Sequence, residues 1–115
     1  MDPKEAWENR DKFTFVDVRE DREWMSKGVL GVDKLYLVER GVLERELPKC
    51  VPDTSTPLMV YCAGAMRSVL ATRSLNELGY TDVTSLNGGF DGWKEENLPL
   101  KSYDEWRACQ DGKDE

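Results

Sequence analysis

Apolar and polar positions change their period several times along the chain, and each change marks an element. Residues 13–18, Phe-Thr-Phe-Val-Asp-Val, are apolar on both faces apart from Thr14 and Asp17, the pattern of a strand covered on two sides. Residues 58–61, Leu-Met-Val-Tyr, repeat it and are bounded upstream by Thr56-Pro57. Shorter runs at 35–38 and 83–86 predict two further strands. Between these runs the period becomes helical. Ala71, Leu75 and Leu78 fall at i, i+4 and i+7 behind Ser68, which can cap the start, and Gly79 stands at the stop. Glu20, Asp21 and Glu23 favour the N-terminal end of a short helix in which Trp24 and Met25 can face the core and which Gly28 can end. Residues 41–47 predict a helix stopped at Pro48, residues 50–57 a loop, and residues 90–97 a helix behind the glycine-rich Asn87-Gly88-Gly89. Asp2-Pro3-Lys4-Glu5 reads as an N-cap, a first-turn proline and a returning glutamate, opening a short peripheral helix with Ala6 and Trp7.

Strands alternating with helices at this spacing argue for an α/β fold: a parallel β-sheet with right-handed crossovers and helices on both faces. Ligands in such sheets bind at the carboxyl ends of the strands, and Cys62 stands at one such end. From Ser102 onward the chain is polar and charged around one large apolar anchor, Trp106, which predicts a docked terminal helix fraying near Gly112. The expected organisation is one domain over residues 1–101 with a polar extension over 102–115, in keeping with a length of 115 residues.

Charge then removes several classes of partner. Sixteen basic against 23 acidic residues give a net charge of −7, with the acids scattered, which argues against nucleic acid or an anionic membrane as partner. No apolar run approaches a membrane span, and Met1-Asp2-Pro3-Lys4 does not begin a signal peptide, so a cytoplasmic, monomeric protein is expected. The three cysteines, Cys50, Cys62 and Cys109, have no C-x-x-C spacing and there is no histidine, which argues for free thiols with neither metal nor cofactor. The missing histidine also excludes a Ser-His or Cys-His catalytic pair, so any cysteine chemistry must rely on backbone amides, a helix end and arginine.

Those three come together in Cys62-Ala63-Gly64-Ala65-Met66-Arg67-Ser68, where a strand passes through a small-residue turn into a helix. The free N–H groups of a tight turn and a helix start converge on anions, and such surroundings favour the nucleophilic thiolate. Arg67 can offer a forked cation to an anionic substrate. A buried strand-end cysteine beside a surface arginine is the unreactive alternative.

Three segments in order resemble the rhodanese family of sulfurtransferases: Asp17-Val18-Arg19-Glu20, then Val60-Tyr61-Cys62 with Arg67-Ser68, then Leu86-Asn87-Gly88-Gly89-Phe90 with Trp93. The resemblance covers about residues 3 to 98. It implies that Cys62 accepts a sulfane sulfur as a persulfide from a small donor such as thiosulfate or from a protein persulfide. It also implies that the loop to Arg67 forms the anion cradle, and that a thiol or cyanide removes the sulfur. Asp17 and Arg19 are read as a structural pair that could also organise the site, Gly88 and Gly89 as serving backbone conformation and close approach to the Cys62 loop. Met66 is an apolar filler by default, Trp93 is core, and Cys50 and Cys109 are bystanders.

Two positions depart from the family pattern. Val29 stands where relatives usually carry a histidine, with little catalytic loss expected, and Ala65 stands where single-domain relatives often place glycine, which would be strained at positive φ. No strand is evident before Pro3. Two other functions stay open: a phosphatase or arsenate reductase of the related fold, and a non-catalytic rhodanese-like binding module. Against the former, only four residues separate Cys62 from Arg67, where phosphatases of similar logic place five.

Overall fold

Side chains alternate along a strand, so the strand sequences decide which helices each face receives. The computed structural model describes residues 1–64 and 66–113, with side chains as far as Ala108. Ala65 and the Cys109 side chain, and with them the expectations of strain at Ala65 and inertness at Cys109, lie outside the described residues. The elements run α1 (Pro3–Glu8), β1 (Thr14–Asp17), α2 (Asp21–Lys27), β2 (Val29–Leu30), β3 (Leu35–Leu37), α3 (Leu43–Cys50), β4 (Leu58–Tyr61), α4 (Met66–Glu77), β5 (Val83–Ser85), α5 (Gly89–Glu95), β6 (Leu100–Lys101) and α6 (Tyr103–Lys113).

Strands β1, β3, β4 and β5 form one all-parallel sheet in the order β3-β1-β4-β5, with Val16 opposite both Tyr36 and Val60 and Val60 opposite Ser85. From β1 the chain moves to β3 on one side and then crosses to β4 on the other. The carboxyl ends of β1 and β4 therefore flank the switch point, where an open α/β sheet leaves a crevice. One face packs Phe15, Met59 and Tyr61 against Ala6, Trp24, Phe90 and Trp93. The other packs Val16, Val18, Val60 and Cys62 against Leu43, Leu47, Ala71 and Leu75. Each fully buried large apolar side chain contributes roughly 1.5–3 kcal/mol. Trp93 meets Phe15 and Trp7 edge to face, at centroid distances of 6.2 and 5.9 Å.

Several elements differ from expectation. Helix α3 passes through Pro48 to Cys50: Pro48 is exposed and the carbonyl left without its N–H belongs to exposed Glu44, so water can take it. The 3₁₀ turn Arg40–Val42 occupies the start foreseen for that helix. Met25 is 62 % exposed rather than core, because α2 has room for Trp24 alone on its buried side. Helix α1 is less peripheral than foreseen, since Ala6 is fully buried, and Asp2 makes no side-chain cap there. The backbone of Met1 bonds Ser85 and Asn87 along the outer edge of β5.

Strands β2 and β6 pair antiparallel, Val29 with Lys101 and Leu30 with Leu100, in a ribbon too short to leave a period in the sequence. It brings the C-terminal segment onto the domain. Trp106 donates its indole N–H to the Leu35 carbonyl at 3.0 Å, and Tyr103 joins it against the same core, so α6 has two anchors. Among the described residues, no helix is long and apolar enough to cross a membrane.

Candidate active site

Strand β4 ends at Tyr61, and Cys62 follows with its side chain on the face of α3 and α4, 2 % exposed. The next two peptides are held from behind by α5. Phe90 N–H donates to the Cys62 carbonyl at 2.8 Å and Asp91 N–H to the Ala63 carbonyl at 3.0 Å. In a trans peptide the N–H points opposite its carbonyl, so the amides of Ala63 and Gly64 are turned away from α5, towards the side of the sheet that holds the Cys62 side chain.

Gly89 is what allows α5 to come so near. It lies at φ +55°, and a Cβ there would overlap the carbonyl oxygens of Cys62 and Gly64, so both conformation and space demand glycine. Gly88, at φ +73°, is the N-cap that turns the chain into α5. Gly89 thus meets the Cys62 loop through the backbone, whereas Gly88 serves the turn and its Cα faces Gly92.

Helix α4 begins at Met66, so Met66, Arg67 and Ser68 belong to its first turn. Met66 is 81 % exposed and fills nothing, contrary to its reading as filler. Ser68 is not the cap foreseen for it. Its side chain is fully buried against β5, with Oγ 2.9 Å from Ser85 Oγ and 3.8 Å from Cys62 Sγ, a reachable hydrogen-bond distance for sulfur. A hydroxyl there can accept from the thiol and donate to the thiolate. Ser85 was not foreseen, as nothing in the sequence couples it to Cys62.

Arg67 does not point freely into the loop. Its fork grips Glu23 of α2, Nη1 to Oε1 at 2.7 Å and Nη2 to Oε2 at 3.0 Å. That hydrogen-bonded pair lowers the Glu23 carboxyl from 4.5 to about 2 and raises the Arg67 guanidinium. Glu23 Oε1 also accepts the Glu20 N–H at 3.2 Å, closing a capping box at the start of α2. The sequence presents Glu23 only as an acid favouring a helix end. A cavity of about 280 Å³ opens here, lined by Val18, Glu20, Glu39, Arg40, Val42 and Arg67. Arg40 is likewise engaged, by Glu44 at 2.5 Å and by Ser74 Oγ at 2.9 Å.

On the opposite face Asp17 and Arg19 are completely buried. Arg19 Nε and Nη2 donate to the Asp17 carboxylate at 2.8–3.1 Å, the Arg19 N–H reaches Asp17 Oδ1 at 2.9 Å, and Nη2 also donates to the Gly28 carbonyl at 2.6 Å. Burial opposes the Arg19 charge, but the bonds to Asp17 outweigh it and hold the guanidinium above its ordinary value. The guanidinium stacks on Phe90 at 4.2 Å, so the residue whose N–H holds the Cys62 carbonyl is itself seated on the buried pair. Burial and the neighbouring Asp17 charge keep the Tyr61 phenol neutral. Val29, the position of the family's usual histidine, is fully buried core in β2. Cys50 ends α3, and burial with the Glu46 charge raises its thiol.

A parallel sheet with a cysteine at its switch point, backed by a glycine-seated helix, defines a rhodanese-type domain. The chain belongs to the rhodanese-like domain family, whose model matches residues 2–96. It is 30 % identical over 99 residues to thiosulfate sulfurtransferase GlpE of Haemophilus influenzae, covering 85 % of this chain and 90 % of that one. It is 30 % identical over 82 residues to the uncharacterized protein YqhL of Bacillus subtilis, covering 71 % of this chain but only 61 % of YqhL. The 30 kDa polysulfide-sulfur transferase homodimer of Wolinella succinogenes shares the fold with a TM-score of 0.77 at 33 % identity, over 89 % of this chain and 77 % of that one.

Proposed function

We propose that the protein is a sulfurtransferase that carries a sulfane sulfur on Cys62. The observation that carries this reading is the pair of amides, Ala63 and Gly64, turned to the Cys62 side by the bonds from Phe90 and Asp91 to the loop carbonyls. Relatives named as sulfurtransferases support it. The Cys62 thiolate attacks the outer sulfur of the donor, a new S–S bond forms, and the donor's old bond breaks with its electron pair leaving on the departing group. With thiosulfate that group is sulfite. A thiol or cyanide then attacks the outer sulfur of the persulfide, and Cys62 leaves as thiolate. The terminal persulfide sulfur carries negative charge, and fixed N–H dipoles stabilise it without reorganising.

Four residues between Cys62 and Arg67 make a ring suited to one added sulfur rather than a phosphoryl group. The test runs both reactions side by side. Thiocyanate should form from cyanide and a sulfane donor and cease in Cys62→Ser, while aryl phosphates stay intact. Phosphate release that disappears in Cys62→Ser, with no thiocyanate from any donor, would replace this reading with the phosphatase one.

A further inference from the structure

Strand β5 turns a serine towards a face of the sheet that is packed mostly by apolar side chains. Paired residues of a parallel ladder point to the same side, and Ser85 pairs with Val60. Val60 and Cys62, at i and i+2, both face α3 and α4, so the register aims Ser85 at that face beside Val83, while Leu86 turns to the other. A slip of one residue would take Ser85 away from it. The backbone here is pinned on both edges. The Ser85 carbonyl accepts the Met1 ammonium at 3.1 Å on the outer side, and the Leu86 N–H donates to the Val60 carbonyl at 2.9 Å on the inner. What can still turn is the hydroxyl. Ser85 Oγ lies 2.9 Å from Ser68 Oγ, and Ser68 Oγ lies 3.8 Å from Cys62 Sγ, with the Ser68 side chain fully buried. Ser85 therefore reaches the sulfur through one intermediary.

Each hydroxyl has one proton to give and lone pairs to accept with. With Cys62 as thiol, donation can run from Cys62 to Ser68 to Ser85. With Cys62 as thiolate it runs the other way, Ser85 donating to Ser68 and Ser68 to Sγ. The reversal takes two hydroxyl rotations and moves no heavy atom. We propose that Ser85 is a positioning residue of sulfur transfer: by donating to Ser68 Oγ, it turns the Ser68 proton onto Cys62 Sγ as negative charge arrives there. This rests on the sulfurtransferase reading and adds to it a residue that acts only through another. The charge arrives when the sulfur leaves. A thiol or cyanide attacks the outer sulfur of the persulfide, a bond to that sulfur forms, the bond from Cys62 Sγ breaks, and its electron pair stays on Sγ. No proton is transferred and no oxidant is consumed. A hydroxyl that itself accepts a hydrogen bond donates a stronger one, so Ser85 strengthens what Ser68 offers the departing thiolate. Loading starts from the thiolate and spends that charge, so it gains nothing from the same bond.

The test compares Ser85→Thr with Ser85→Val on the full chain, two variants that match in shape and differ in the hydroxyl. Each protein is loaded with thiosulfate, freed of excess donor and mixed with cyanide, and thiocyanate is followed through a single turnover. Both halves of the reaction are read at about pH 9.5, above the ordinary thiol value, so that protonation does not enter. The Val variant should discharge about threefold to tenfold more slowly than the Thr variant, the range expected for one hydrogen bond between neutral groups. Its kcat/KM for thiosulfate, which reports the loading half alone, should not fall. Ser85→Ala removes the oxygen without adding bulk and should discharge as slowly as the Val variant. Equal discharge by the Thr and Val variants, or wild-type discharge by the Ala variant, overturns the proposal. So does a fall in kcat/KM for thiosulfate that matches the fall in discharge, which would make Ser85 a packing residue of the loop. Absence of sulfur on wild-type Cys62 from every donor sinks the sulfurtransferase reading itself, and the role of Ser85 with it.

Discussion

Among the described residues two arginine–carboxylate forks form, and their settings could hardly differ more. Asp17 and Arg19 are sealed on one side of the sheet, both without solvent contact, with a backbone carbonyl accepting from Arg19 Nη2, an aromatic ring against the guanidinium, and Nη1 left without a hydrogen-bond partner. Glu23 and Arg67 meet at the rim of the opening on the other side, each partly wet. A buried pair gains little over an apolar replacement, but losing one partner strands a charge in low dielectric. A rim pair is screened, entropically costly and easily exchanged. So the first fork fixes the seat of Phe90 and hence the Cys62 loop, and the second holds an arginine beside the site in a grip that an incoming group can loosen.

The largest effect expected from breaking this contrast comes from Asp17→Ala. It leaves Arg19 buried and unpaired, which should cost about 3–5 kcal/mol, against a typical total stability of about 5–15 kcal/mol. Urea unfolding measures it, and a loss below about 1 kcal/mol would mean that the two forks are energetically alike.

Next in size is Gly89→Ala. Forcing a side chain into the left-handed region costs about 1–3 kcal/mol, and its Cβ would press on the Cys62 and Gly64 carbonyls. Sulfur loading should therefore fall well beyond what the stability loss explains, by about tenfold or more at a temperature where the variant is folded. Normal loading would show that α5 does not aim the loop amides.

Glu23→Gln should change stability by less than about 1 kcal/mol at neutral pH, since the pair is partly exposed. Its carboxyl is depressed in the folded state, from 4.5 to about 2, so the contribution of the pair is present above 4.5 and is lost as pH falls towards 2. The gap between wild type and Glu23→Gln in thermal unfolding should close over that interval. The same variant frees Arg67 and should lower the KM for thiosulfate, while Arg67→Ala leaves the Glu23 charge uncompensated and should raise it. A Glu23→Gln enzyme with a higher thiosulfate KM would contradict the view of Arg67 as a held reserve. The smallest effect is expected at Cys50, on the outer end of α3: Cys50→Ala should leave the rate and extent of sulfur loading unchanged.

Much of the frame could be read from residues alone, because the runs at 13–18 and 58–61 are apolar on both faces and so mark strands covered on two sides. The place of Cys62 at a strand end, the tight approach of Gly89 and the docking of Trp106 follow from such local patterns. What stayed hidden is long-range. The partner of Arg67 is 44 residues upstream and that of Ser68 is 17 residues downstream, and no local period links them. A free Arg67 was the natural expectation from the loop alone. The sequence predicts a stop at Pro48 because it does not reveal that the orphaned carbonyl faces water, and α3 runs on to Cys50. The ribbon of β2 and β6 consists of two residues a side, too few for any pattern.

A transferred sulfur should reside on Cys62. Wild-type protein incubated with a sulfane donor, alkylated without reductant and mapped by peptide mass should carry one extra sulfur atom on Cys62 and none on Cys50, and cyanide should remove it as thiocyanate. Sulfur on Cys50 in place of Cys62, or undiminished uptake by Cys62→Ser, would contradict it.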